Sequence, residues 1–130
     1  MTSAVSLTLK ALLAQSGVTG TTSTRIRPFP LPQGETLPAI AVAMSAEDEE
    51  YLLSGAAQYP NATVQVHCIA TTATSAIQLG EKVKDALRDL HFSDSPPVSA
   101  SFVKEALDFT DFSDDLTTFR RVMGFSVRWR

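Results

Sequence analysis

Two stretches of this chain alternate so regularly that they restrict the backbone to one conformation. In Ala62–Ala70, Ala62, Val64, Val66, Cys68 and Ala70 fall on one side, and Thr63, Gln65, His67 and Ile69 on the other. In Phe119–Arg130, Phe119, Met123, Phe125, Val127 and Trp129 share a side with Arg121. Arg120, Val122, Gly124, Ser126, Arg128 and Arg130 share the opposite side. A period of two is the pleat of a strand with one face buried. Between these strands, Ala73–Leu90 has a helical stripe of Ile77, Val83, Ala86, Leu87 and Leu90, with Thr72 placed to cap it. Its charges attract and repel in roughly equal measure, so the packed stripe must hold it.

The remaining segments fit around this pattern. Ala4–Gln15 reads as a helix capped by Ser3, ended by Gly17 and buried along Val5, Leu9, Leu12 and Leu13. It has the pattern of a structural helix rather than a signal peptide. Val18–Thr24 reads as a loop and Arg25–Arg27 as a short strand. Ala39–Ser45 reads as a strand that directs Ile40, Val42 and Met44 inward. Ala46–Pro60 reads as a long loop, Val98–Glu105 as a fourth strand and Asp108–Thr117 as an acidic loop. The order is α-β-β-β-α-β-β. Loops rather than helices join most of the strands. The expected fold is therefore α+β, with a mainly antiparallel sheet of four to five strands and two helices on one face. Residues 1–130 form one domain in this reading, because no linker or repeat divides them.

Composition narrows the function classes. Of 130 residues, 44% are hydrophobic and 19% charged, which argues against disorder. Net charge is −3, so no domain-wide basic footprint for nucleic acid exists. The charge is segregated. Glu47, Asp48, Glu49 and Glu50 form an acidic run, and the last strand carries arginines and no acid. That segregation fits complementary patches between identical subunits. The lone Cys68 excludes an intrachain disulfide, and no apolar run is long enough for a membrane helix.

No reaction centre is visible. His67 and Cys68 are adjacent on a strand and point to opposite faces, so they form no metal pair; an exposed histidine and a buried thiol are expected. Asp108, Asp111, Asp114 and Asp115 lack the alternate spacing and the glycine of a calcium loop. There is no phosphate-binding glycine loop and no nucleophile elbow. No cofactor and no catalytic or metal residue is assigned, and the chain does not read as an enzyme.

Three stretches together carry a resemblance. RIRPFPLPQGETLPAIAVAM joins a short Arg-Ile strand to an apolar strand through a Pro-Gln-Gly loop and Leu37-Pro38. ATVQVHCIATTATSAIQLGEKVKDAL is a Val-Gln-Val strand followed by an Ala/Thr-started helix. TTFRRVMGFSVRWR is a closing strand with a late tryptophan. Nearly the whole chain thus resembles the tail-completion or tail-terminator proteins of long-tailed bacteriophages and gene transfer particles. Ala39, and Thr118-Phe119 before the last strand, depart from that pattern.

The resemblance implies a hexameric ring at the head-proximal end of the tail tube. Its partners would be copies of itself, the tail tube protein and the head–tail connector or adaptor. DNA would pass through the lumen without specific recognition, and no membrane would be involved. The particle neck would be its location, after synthesis in the bacterial cytoplasm. Stiff loops suit such a subunit, because prolines reduce the entropy lost on docking. The interface candidates are Phe29, Leu31, Gln33 and Glu35 in the proline loop, Glu47, Asp48, Glu49, Glu50, Tyr51 and Tyr59 in the second loop, and Arg120 and Arg128 on the last strand. A head-completion adaptor and a small α+β enzyme are the alternatives.

Overall fold

A computed structural model of the chain describes residues 4–31, 34–48, 51–52, 55–56, 61–94, 98–113 and 117–129. Its elements are α1 (Ala4–Leu13), α2 (Ser16–Thr22), β1 (Ile26–Pro28), β2 (Ala39–Asp48), β3 (Tyr51–Leu52), β4 (Gly55–Ala56), β5 (Asn61–Ala70), α3 (Ala73–Leu87), β6 (His91–Asp94), β7 (Val98–Phe112) and β8 (Phe119–Trp129). Six strands form one sheet in the order β1-β2-β5-β8-β7-β6, and β3 and β4 pair with each other. The class is α+β, as expected, but the sheet has more strands and the chain a third helix. The sheet is mixed: β1 runs parallel to β2, and the other neighbours are antiparallel.

The two alternating runs form the centre. β5 pairs with β8 from Asn61↔Arg128 to Ala70↔Phe119 without a break. Their apolar sides then coincide, and all three helices pack on that side. Leu7, Leu12, Val18, Leu79, Val83 and Leu87 meet Ile40, Val42, Val64, Val66, Phe102, Met123 and Phe125 in one core. Trp129 closes it at 7% exposure. Thr72 caps α3 as expected, its hydroxyl accepting from the Ser75 N–H at 3.1 Å.

Several boundaries differ from the sequence reading. Gly17 ends nothing: it lies inside α2, which occupies part of the expected Val18–Thr24 loop. Ser3 lies outside the described residues. The buried face of α1 centres on Leu7, Ala11 and Leu12, and Leu13 is exposed. α3 stops at Leu87, and its buried stripe runs through Ala76, Leu79, Gly80, Val83 and Leu87, leaving Ile77 outside. Met44 is half exposed, although Ile40 and Val42 are buried as expected. β2 continues to Asp48 because β5 pairs with it that far, through a register shift between Met44 and Ala46. β7 continues to Phe112, through the first half of the expected acidic loop, because β8 pairs with it on both sides of a bulge between Lys104 and Asp108.

Candidate functional site: the helix-free face of the sheet

With every helix on one side, the opposite face of the sheet holds the exposed chemistry. The pairing register places its residues in rows. Ala41, His67, Val122 and Phe109 form one row across β2, β5, β8 and β7. Ala39, Ile69, Arg120 and Asp111 form the next. Thr63, Ser126 and Val103 follow at the other end, and beyond them Arg128 stands beside Ser101.

The centre of this face is polar but closed. The Arg120 Nε donates to Asp111 Oδ1 at 3.0 Å, and Nη2 donates to Oδ2, a two-point clamp between β8 and β7. The Arg120 hydrogen bond holds the Asp111 carboxyl below its ordinary value despite some opposing burial. Arg120 Nη1 lies 3.4 Å from His67 Nδ1. His67 is only 5% exposed, not surface-facing as expected from its strand position. Phe29 covers it, with ring centroids 4.9 Å apart. Burial and then the Arg120 charge push the His67 pKa down, while Asp111 pulls it up.

Around this centre the face is apolar and open. Phe29, Val103, Leu107 and Phe109 are all substantially exposed. Leu107 belongs to the β7 bulge, which fits because residue 124 is glycine: a Cβ there would sit 3.2 Å from the Leu107 Cβ and 3.3 Å from the Glu105 Cβ. The Lys104 ammonium ties the bulge down by donating to the carbonyls of Glu105 at 2.8 Å and Leu107 at 3.3 Å. A shallow hollow lined by Ser101, Val103, Glu105, Ser126 and Arg128 lies beside it.

The structure gathers part of the expected interface. Phe29, Arg120 and Arg128 come to this one face. Glu35 instead turns to the Arg27 Nε, at 2.7 Å, and Leu31 is half-buried in the same loop. Glu47 and Asp48 end β2 opposite Ala62 and Asn61, and Tyr51 lies in β3 opposite Ala56. Gln33, Glu49, Glu50 and Tyr59 lie outside the described residues. The sequence reading missed His67, Val103, Leu107, Phe109 and Asp111. Alternation along β8 announces Arg120 and Arg128, but β7 beyond Lys104 shows no comparable apolar alternation and its bulge shifts the register, which hides its members.

The exposed part of this face is mostly apolar, with Arg128 at its end. Among the described residues, no three His, Cys, Asp or Glu side chains are grouped to hold a metal. Cys68 is fully buried on the helix side, and burial pushes its thiol pKa up to about 12, far from a reactive thiolate. No helix in the described residues is long and apolar enough to cross a membrane.

No curated protein sequence matches the chain significantly. A chain of a solved structure described as the virion of a native gene transfer agent particle is similar in fold, with a TM-score of 0.70 and 17% identity over 97% of this chain and 93% of that one. Residues 8–130 match the family described as tail completion protein gp17. The match takes in the sheet, α2, α3 and most of α1, and it agrees with a surface built for contact: the chain belongs to the tail completion protein gp17 family and is a structural protein of a phage-type virion tail.

Proposed function

We propose that this protein caps the head-proximal end of the tail tube as a hexameric ring, stops tube growth and joins the tail to the head connector. The family match over residues 8–130 carries this reading. In it, residues 1–130 act as one terminator-like domain without catalysis. The exposed apolar face around Phe109, Val103 and Leu107 supports it, since a monomer gains nothing from such a patch. The partners are further copies of the chain, the tube protein below and the connector above, with DNA passing through unread. A ring of this kind works by geometry. Each added tube ring presents the same growing face, so growth ends only when a different ring covers that face without offering a new one.

Deleting the gene tests this directly. The expected outcome is tails of abnormal, mostly excessive length beside tailless, DNA-filled heads, measured by electron microscopy. Free tails of normal length would place the protein on the head side instead. Normal joined particles lacking an activity would indicate an enzyme, and either result overturns the capping role.

A further inference from the structure

At the closed centre of the helix-free face, one buried group is short of a partner. His67 is 95% enclosed by its 5% exposure, yet its Nε2 finds no hydrogen-bond partner among the described residues. Its Nδ1 faces the Arg120 guanidinium, which can only donate. The ring is therefore a neutral imidazole with Nδ1 accepting and an orphaned Nε2–H, a buried donor that is costly to leave unpaired. The Phe29 ring, itself 48% exposed and at the start of the proline loop, lies against it.

Among the described residues, two hydrogen bonds tie the ends of the loop down. The Phe29 N–H donates to the Val42 carbonyl at 2.9 Å, and the Arg25 Nε donates to the Pro38 carbonyl at 3.1 Å. Arg27 and Glu35 bind one another across the loop rather than to the sheet. From every neighbouring strand the charges that face His67 are few. β8 contributes Arg120, β7 contributes Asp111, and β1 contributes Arg27, which shares the row through Ala41 and is already paired with Glu35. β2 contributes Ala41 itself, which carries no charge.

We propose that the Phe29 ring is a latch seated on a neutral His67, and that protonating His67 releases it. A proton on Nδ1 would remove the acceptor facing Arg120 and place two cations side by side under an aromatic lid. Asp111 offsets this only in part, because burial and the Arg120 charge outweigh its pull. Water would relieve the imidazolium, and displacing the half-exposed Phe29 ring would bring water to it. Enclosure by burial and the Arg120 charge lower the pKa of the seated form. Seating is therefore complete above the ordinary histidine value of 6.5 and weakens as pH falls below it. Opening would uncover the Phe29 ring and the imidazole together, a surface different from that of the seated form.

Hydrogen exchange on the whole chain at pH 7.5 and pH 5.5, expressed as protection factors, tests the latch. The Phe29 amide is expected to lose protection at least tenfold at the lower pH, with the Val66 and Met123 amides unchanged. His67→Phe keeps an aromatic seat without a proton and should abolish the difference. Equal Phe29 protection at both pH values overturns the proposal, and so does an acid-induced loss that persists in His67→Phe. If that variant does not fold, NMR titration of His67 in the natural chain decides. Titration at an ordinary midpoint while the Phe29 ring contact persists also overturns it.

Discussion

Arg121 sits on the helix side of β8 at 7% exposure, and its guanidinium is fully occupied there. Nε and Nη2 donate to the two oxygens of Asp108 at 2.9 and 2.8 Å, and Nη1 donates to Glu81 Oε1 at 2.9 Å and to the Ile77 carbonyl at 3.0 Å. The side chain crosses α3 where residue 80 is glycine. A Cβ at that position would lie 2.4 Å from the Arg121 Cδ. That methylene is pinned on both sides, so it cannot swing away. Gly80→Ala should then cost about 1–3 kcal/mol from overpacking, partly offset by about 1 kcal/mol of helix propensity. In an Arg121→Met background the same change should become neutral or stabilising. Chemical denaturation of the four proteins decides, and an equal cost in both backgrounds would show that Arg121 is not what glycine accommodates. Acid behaviour follows from the same contact. The Arg121 hydrogen bond holds the Asp108 carboxyl below 3.8. Its stabilisation is present above that value and is lost as pH falls through the lowered one. Arg121→Met should therefore flatten the acid limb of a stability–pH profile. Alternation along β8 already showed that Arg121 shares the core side with Phe125 and Trp129. Its partners were not legible, because Asp108 looked like part of a solvated loop.

At the scale of elements, what was readable and what was not separate along a physical line. β5, β8 and α3 carry their own periodicity, so local sequence sufficed to find them. β7 beyond Lys104 does not. Its acids at 108 and 111 belong in a strand because Arg121 and Arg120 bind them from β8. A reading confined to one segment sees like charges and expects water. α2 fails for a different reason. Ser16–Thr22 contains two glycines and three threonines, poor helix formers all. It is helical because Val18 is fully buried in the core, and the Thr22 and Thr19 hydroxyls donate back to the carbonyls of Val18 and Gln15, both at 3.3 Å. Tertiary packing overrides propensity there. Gly20 consequently does no packing: nothing lies within 4 Å of an added Cβ. Gly20→Ala should stabilise the chain by about 0.5–1 kcal/mol, the opposite sign to Gly80→Ala. A lower melting temperature for Gly20→Ala would mean that the helix depends on glycine for a reason other than space.

For the whole molecule the consequential feature is asymmetry among the described residues: helices and core on one side of the sheet, a helix-free and partly exposed face on the other. In the proposed ring, each copy must present two different surfaces to its neighbours, because closed cyclic contacts are head-to-tail. The Phe109–Val103–Leu107 face with Arg128 at its end supplies one apolar surface with a basic margin. A substitution on this face can then be tuned to spare the subunit and strike the assembly. Phe109 is 43% exposed, so Phe109→Asp should shift the stability of the isolated chain by no more than about 0.5–1 kcal/mol. Val122 stands next to it in the same row but is 1% exposed, so Val122→Asp should unfold the chain by burying an unpaired carboxylate. Supplied in place of the natural gene, Phe109→Asp should fold, yet fail to appear in purified particles and reproduce the tail phenotype of the deletion. Val122→Asp should give the same phenotype for the other reason, with no folded protein to recover. If Phe109→Asp enters particles at the natural level and tails keep their length, the helix-free face is not the surface through which the ring is made, and the contacts must lie with the helices or the strand ends.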